Sequence, residues 1–381
     1  MIYLDYSATT PPRREAIAAA ESVLTETWGN PASIHGIGER SALVLETARW
    51  QVAAAINAEP TEIVFTGSGT EADNLAILGV AEGFDTPRQV IVSSVEHSAV
   101  AVTVDRLRKR GWEIVYLPVD SGGRVKVADL VAAIDTNTAI VSIIYAQSEV
   151  GTVQPIAELA AICRQWGIVF HTDAVQAIGR IAIDVKELDI DLLSLSSHKI
   201  YGTQGVGALY VRKGCQLTPL ITGGSQENGW RSGTPNLSGI AAFGVAISLA
   251  VEELTAENTR LQALRDRLFS QLADIPALAI SGDRIHRLPH HASFRVIPGQ
   301  DRPHGRQIVR TLSKMGIAIS AGSACNSGKT TPSKVLLAMG CDAEAALGGI
   351  RITLGRYTTE EDIDRTATAL KFILSSDVEK I

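Results

Sequence analysis

The fold is decided by Leu192-Leu-Ser-Leu-Ser196-Ser197-His198-Lys199, an apolar run that ends in small polar residues and a single lysine. Leu-rich runs of this length flanked by turn residues read as a buried strand. A lysine is a costly residue at the buried end of such a strand, because desolvation disfavours its charged form. That cost becomes useful where a neutral amine must attack a carbonyl. A second apolar run, Gly167-Ile-Val-Phe-His171, delivers Thr172-Asp173-Ala-Val-Gln176 upstream. Taken singly, Lys199 reads as a snorkelling surface residue and Asp173 as a helix cap.

Together the two residues suit pyridoxal phosphate. The lysine holds the aldehyde carbon as a Schiff base. The carboxylate keeps the pyridine nitrogen protonated, so that the ring acts as an electron sink. Around this pair the chain alternates strand and helix patterns from about residue 13 to residue 257, which predicts an α/β domain with a mostly parallel sheet. Strands are expected at 62–65, 89–93, 113–117, 139–144, 168–171, 192–194 and 207–211. Helices are expected at 39–56, 70–82, 100–110 and 155–166, the last with Pro155 in its first turn. A second unit, with strands at 292–296 and 317–320 and helices at 306–314 and 360–374, follows. The boundaries read as 13–259 for a large domain, with 1–12 and 260–381 forming a smaller α+β domain.

Bulk properties narrow the function class. A chain of 381 residues exceeds what one small core accommodates, and 45% hydrophobic with 20% charged residues is ordinary for a globular enzyme. A net charge of −6 offers no basic footprint for nucleic acid. The start, Met1-Ile-Tyr-Leu-Asp5, lacks the pattern of a secretion signal, and the apolar stretch 240–251 is too short to span a bilayer. Cys163, Cys215, Cys325 and Cys341 show no metal-ligand spacing and read as reduced thiols, so no metal site, no membrane association and a cytoplasmic location are expected.

Several further segments carry chemistry. Gly67-Ser68-Gly69-Thr70-Glu71-Ala72 opens a helix after a strand, which leaves free N–H groups facing a phosphate, with Thr70 adding its hydroxyl. It also matches G-x-G-x-x-A, with Glu96 downstream, so an NAD-dependent oxidoreductase competes on this motif alone. That alternative leaves Asp173, Lys199 and Cys325 unexplained. His97 follows a strand and suits proton movement near neutral pH, although alone it reads as an ordinary loop histidine. Arg231-Ser-Gly-Thr234-Pro-Asn236 is a compact turn that reads as either a helix start or an anion site. Cys325 lies in Ser320-Ala-Gly322-Ser323-Ala-Cys325-Asn-Ser-Gly328, a small-residue loop unlike the apolar setting of Cys163. Such a loop suits a thiolate that must approach a substrate and withdraw. Arg351, in the alternating Gly349-Ile-Arg-Ile-Thr353, reads as a carboxylate clamp or a surface ion-pair member.

With these segments assembled, the chain resembles the cysteine desulfurases of the NifS/IscS type, among the fold-type I pyridoxal-phosphate enzymes. The resemblance runs from Tyr3-Leu-Asp-Tyr-Ser-Ala-Thr-Thr10 to Arg351 and includes Gly29-Asn30-Pro31-Ala-Ser33-Ile-His35. It implies that Lys199 carries the cofactor, Asp173 pairs with the pyridine nitrogen, Gln176 bonds the phenolic oxygen and His97 stacks on the ring. Gly69, Thr70, Ser196 and His198 would hold the phosphate, with Thr234 reaching it from the other subunit of a homodimer. Arg351, Asn30 and Ser148 would contact the substrate, and Cys325 would take its sulfur as a persulfide. L-Cysteine would yield L-alanine, and the sulfur would pass to an acceptor or an iron-sulfur scaffold protein. One position departs from the family pattern: Gln147-Ser148 stands where two asparagines are usual. This would put the shorter Ser148 hydroxyl near the cofactor's phenolic oxygen and the substrate carboxylate, where it would lose a direct contact or use a bridging water. Related lyases and aminotransferases, and a non-catalytic sulfur-delivery scaffold, are the competing readings.

Overall fold

Short runs of β-branched and leucine residues, buried on both faces in most strands of the large sheet, set the framework. The computed structural model describes residues 1–299, 302–322 and 331–375. Its strands are β1 (Ile2–Tyr3), β2 (Ile63–Thr66), β3 (Gln89–Ser93), β4 (Glu113–Leu117), β5 (Thr138–Ser142), β6 (Val169–Asp173), β7 (Leu192–Ser196) and β8 (Gly207–Val211). The remainder are β9 (Leu278–Ile280), β10 (His291–Val296), β11 (Ile317–Ala318), β12 (Ser320–Ala321) and β13 (Gly349–Thr353). Seven of them form one sheet in the order β2-β8-β7-β6-β5-β3-β4. All neighbouring pairs are parallel except those of β8, which runs antiparallel to both β2 and β7. The protein is therefore an α/β chain with a mostly parallel central sheet.

Alternation within each strand feeds two cores. Ile91, Val141, Phe170, Leu193 and Leu195 join one cluster with Ile156, Leu159 and Cys163. Val90, Val92, Leu192 and Leu209 face the opposite cluster with Leu75, Ile77 and Val104. A parallel sheet covered on both faces needs such continuous apolar strands. Each fully buried Leu or Ile contributes about 1.5–3 kcal/mol through the hydrophobic effect.

A separate core gathers Ile2, Leu4, Leu261, Leu268, Phe294, Ile308, Ile352 and Leu370. It lies against the smaller sheet, ordered β12-β13-β10-β9. The expected boundary at 259/260 falls inside one continuous helix, Leu254–Leu272, which follows Leu237–Glu252 at a bend of 71°. No single helix among the described residues is long and apolar enough to cross a membrane.

The structure corrects the sequence reading locally. The single strand expected over 317–320 is split: Ile317–Ala318 pairs in parallel with Ile2–Tyr3, whereas Ser320–Ala321 pairs antiparallel with Arg351 and Ile350. A helix at Arg14–Thr25 lay outside the expected elements; it has no side-chain cap to mark its start. Pro155 precedes the helix Ile156–Trp166 as its N-cap instead of occupying the first turn. These changes leave the functional edge of the sheet intact.

Candidate active site

Because β3, β5, β6 and β7 are parallel, the residues following each of them emerge at one edge. Clefts at such carboxyl edges are where open α/β sheets bind ligands. Asp173 is the last residue of β6, and β7 leads through the single turn Ser197–Lys199 to the lysine. Lys199 Nζ donates to the carbonyls of Ser7 and Ala8 at 2.6 and 2.7 Å. Burial pushes its amine down to about 8, with Arg351 adding to the fall and Asp173 and Asp5 opposing it. A lysine held there supplies neutral amine near physiological pH.

Asp173 is buried, and its Oδ1 accepts from the Val175 N–H at 3.0 Å. Burial raises its carboxyl above the ordinary range, while His97, the Val175 hydrogen bond and Lys199 pull the other way. Gln176 Nε2 donates to Ser7 O at 2.9 Å, the same carbonyl that Lys199 uses. His97 caps the helix Ser98–Arg108, its Nδ1 accepting from the Ala99 N–H at 3.2 Å. With Nδ1 engaged as an acceptor, Nε2 is the ring nitrogen left for proton exchange. Donor atoms of His97, Asp73 and Asp173 lie within 4.8 Å of one another, so the imidazole stands beside the strand-end carboxylate.

The helix Gly69–Ala81 begins at the same edge, with Ser68 Oγ accepting from the Glu71 N–H at 3.1 Å. A Cβ on Gly69 would lie 2.7 Å from Val175 Cγ2 and 3.3 Å from Ser196 Cβ, so only glycine lets this helix end approach β6 and β7 so closely. Thr70 is exposed in the first turn, and Ser196 ends β7. His198 Nδ1 meets Thr9 Oγ1 at 3.1 Å, and burial together with Lys199 pushes the ring down to about 4, leaving it neutral. Glu71 holds the loop, accepting from Gly67 N–H at 2.7 Å and pairing with Arg231 Nε at 2.8 Å. Thr234 is exposed, lining a cleft with Thr66, Gly67, Gly205 and Asn236.

On the opposite wall, Arg351 of β13 pairs with Asp5 through Nη2 at 2.8 Å and donates from Nη1 to Ser148 O at 3.0 Å. Its Nε is buried without a hydrogen-bond partner. The Ser148 carbonyl also accepts from His291 Nε2 at 3.1 Å. Asn30 is exposed, and its Oδ1 accepts from the Ala32 N–H at 3.0 Å; no contact among the described residues joins it to Lys199 or Arg351. Cys325 and its neighbours 323–330 lie outside the described residues. Cys163 and Cys215 are poor nucleophiles, since burial pushes their thiols up to about 12 and about 11.

Two groups escaped the sequence reading. Asp73 is almost wholly buried beside Asp173, on a helix whose neighbouring Ala72, Leu75, Ala76 and Ile77 are also buried. An acid within that apolar run was the available signal. Glu149, buried against Ser333 Oγ and overlapping the space a Gly322 side chain would need, is pushed up to about 7 by burial, with Ser333 and Arg351 opposing. The competing dinucleotide reading fails at Glu96. Its Oε1 accepts from Ser93 Oγ at 2.5 Å and from the Ile144 N–H at 2.9 Å, so that oxygen is already engaged within the protein.

The donor set fits pyridoxal phosphate. An amine near neutrality, a buried acid on the adjacent strand end, and a glycine-opened helix N-terminus for a phosphate share one edge. Comparisons with known proteins agree. The class-V aminotransferase family matches residues 2–366. The cysteine desulfurase IscS of Dictyoglomus turgidum is 46% identical over 375 residues, 98% of this chain and 94% of the relative. Among solved structures, a NifS-like protein superposes with a TM-score of 0.91 at 37% identity, covering 98% of this chain and 99% of its own. SspA in complex with cysteine gives a TM-score of 0.82 at 34% identity, covering 94% of this chain and 100% of its own. This chain belongs to the class-V aminotransferase family and, within it, to the cysteine desulfurases of the IscS/NifS type.

Proposed function

We propose that this cysteine desulfurase uses pyridoxal 5'-phosphate on Lys199 to convert L-cysteine to L-alanine, storing the sulfur on Cys325 as a persulfide. The observation that carries the reading is the pairing of a lysine pushed down to about 8 with a buried aspartate on adjacent strand ends. When bound, the cofactor supplies an electron-withdrawing ring that stabilises negative charge on the substrate carbon beside the amino group. Asp173 would hold its pyridine nitrogen, Gln176 its phenolic oxygen, and Gly69, Thr70, Ser196 and His198 its phosphate. Thr234 of a second copy completes that phosphate site, which makes the active unit a homodimer. Residues 13–259 form the cofactor-binding part, and 1–12 with 260–381 bring Arg351 and Cys325 to it.

The chain's own groups divide the work. Arg351 binds the substrate carboxylate through its guanidinium fork, with Asn30 and Ser148 as further substrate contacts. Lys199, once free, moves the proton on the substrate α-carbon as a neutral amine, and His97 exchanges a proton at Nε2. The Cys325 thiolate attacks the substrate sulfur. The carbon–sulfur bond breaks with its electron pair retained on the substrate carbon, which takes up a proton and leaves in alanine. The balance is one cysteine and one thiol giving one alanine and one persulfide, with no external oxidant. That persulfide then passes to an acceptor such as an iron-sulfur scaffold, within the cytoplasm.

The test is mass spectrometry after addition of L-cysteine. A gain of one sulfur atom at Cys325, in step with alanine release, is expected. Cys325→Ser replaces a soft nucleophile by a hydroxyl that hardly ionises at neutral pH. It should retain the visible spectral response to L-cysteine and release no alanine. Persulfide on Cys163 or Cys215, or normal turnover by Cys325→Ser, overturns the assignment.

A further inference from the structure

Beneath Asp173 lies a second carboxyl that the reaction as written does not use. Asp73 is 1% exposed, and its Oδ1 has no hydrogen-bond partner. That oxygen sits 3.7 Å from His171 Nε2. His171 is itself fully buried between two hydroxyls, Ser142 Oγ at 2.8 Å from Nδ1 and Ser194 Oγ at 3.0 Å from Nε2. The Ser194 hydroxyl in turn meets the Asp73 carboxyl. A chain Ser142–His171–Ser194–Asp73 thus runs under the sheet edge and ends beside Asp173.

Two carboxylates this close in a desolvated pocket cannot both be ionised, because burial and mutual repulsion each penalise the second charge. Their surroundings decide which one keeps the proton. Asp173 has stabilisers of its charge on its own side: the Val175 N–H donates to its Oδ1 and the Lys199 amine stands on the adjacent strand end. On its inner side Asp73 meets His171, which burial pushes down to about 3 and leaves uncharged, and the nearby Glu96, which burial pushes up to about 8 so that it holds its own proton at neutral pH. Among the described residues no N–H donates to Asp73 Oδ1, whereas Asp173 Oδ1 accepts from the Val175 N–H. The unpartnered Oδ1 agrees, since a buried neutral acid tolerates a missing hydrogen bond far better than a buried carboxylate does.

Building on the pyridoxal-phosphate reading, we propose that Asp73 is a positioning residue for Asp173. It carries the single proton of the buried pair at the end of the Ser142–His171–Ser194 chain, and so keeps Asp173 ionised toward the pyridine nitrogen. The proton fixes the polarity of the chain. Asp73 O–H donates to Ser194 Oγ, Ser194 O–H to His171 Nε2, and His171 Nδ1–H to Ser142 Oγ. Asp73 acts through Asp173 and touches no reacting atom.

Infrared difference spectroscopy on the full chain, with and without added pyridoxal phosphate, reads the proton directly. Asp73→Asn should remove one protonated-carboxyl stretch, and Glu96→Gln should remove a different one. Asn preserves a neutral donor, so Asp73→Asn should keep the cofactor dissociation constant within about threefold, and weakening beyond about tenfold would mean that the native group is charged. Should the Asn variant fold poorly, Ser194→Ala serves instead, because losing the acceptor must shift the Asp73 stretch without abolishing it. A carboxyl stretch insensitive to both Asp73→Asn and Ser194→Ala overturns the proposal, as does its loss in Asp173→Asn. Failure of the protein to bind pyridoxal phosphate would instead sink the functional reading, since the infrared signature of the cofactor-free chain does not depend on it.

Discussion

The two walls of the cleft hold their charges in opposite ways. On the large-sheet side, Asp173 and Lys199 sit on adjacent strand ends and are shifted toward each other's neutral range by loss of water. On the opposite wall, the Arg351 guanidinium pairs with Asp5 and donates to the Ser148 carbonyl. The sheet wall therefore supplies, in Lys199, a group that changes protonation state near neutral pH. The Arg351 wall supplies a fixed cation that can exchange one anionic partner for another. Proton transfer belongs to the first and substrate selection to the second, and variants in each should fail differently.

The largest effect belongs to the sheet wall. Lys199→Ala removes the group that bonds the cofactor and moves the substrate proton. The second role alone is worth about 10²–10⁴-fold in rate. The variant should lack the visible absorption of bound cofactor and any lysine that borohydride can fix to it. A borohydride-fixed adduct on another lysine would break the distinction between the walls.

Arg351→Gln tests the other wall and the coupling between the two. Loss of a charge-assisted bond to the substrate carboxylate costs about 1.5–3 kcal/mol, which appears as a roughly ten- to hundredfold rise in KM. The same change should move a pH profile. Arg351 helps hold Lys199 down at about 8, so the capture of pyridoxal phosphate by cofactor-free protein should rise with pH and level off above about 8. Removing that positive charge stabilises the ammonium, so the midpoint in Arg351→Gln should move to higher pH. A profile that stays in place, or moves down, would show that burial alone sets the amine and that the two walls are electrostatically independent.

The sequence made one wall more legible than the other. Strand ends announce themselves: an apolar run that stops at Asp173 or at Ser-Ser-His-Lys199 places a residue at the sheet edge whatever the helices do. The parallel order and the G-x-G turn follow from the same local pattern. Contacts made across the fold leave no such trace. Asp5 and Arg351 are 346 positions apart in their ion pair, and nothing near either residue announces the other. Asp73 was hidden for a different reason, since a helix buried almost all round offers no polar stripe to mark an acid as facing the site. The split of 317–320 between two sheets is tertiary too, because it depends on Ile2–Tyr3 arriving from the far end of the chain.

The smallest expected effect concerns Ser148, where the sequence leaves the family pattern. Its shorter hydroxyl is expected either to lose the direct contact that asparagine would make or to use a bridging water. The structure shows that the backbone carbonyl, not the hydroxyl, bonds Arg351 Nη1 and His291 Nε2. The clamp is therefore positioned whatever side chain stands at 148. Ser148→Asn should leave the Arg351 dependence of the Lys199 pH profile where it is. At most it should add one neutral hydrogen bond to the substrate, about 0.5–1.5 kcal/mol, or a fall in KM of roughly two- to twelvefold. Titration of L-cysteine against the visible spectrum measures that gain separately from turnover. A shifted pH midpoint in Ser148→Asn would show that the side chain does move Arg351, and the backbone would no longer explain how this chain keeps its carboxylate clamp with a serine at 148.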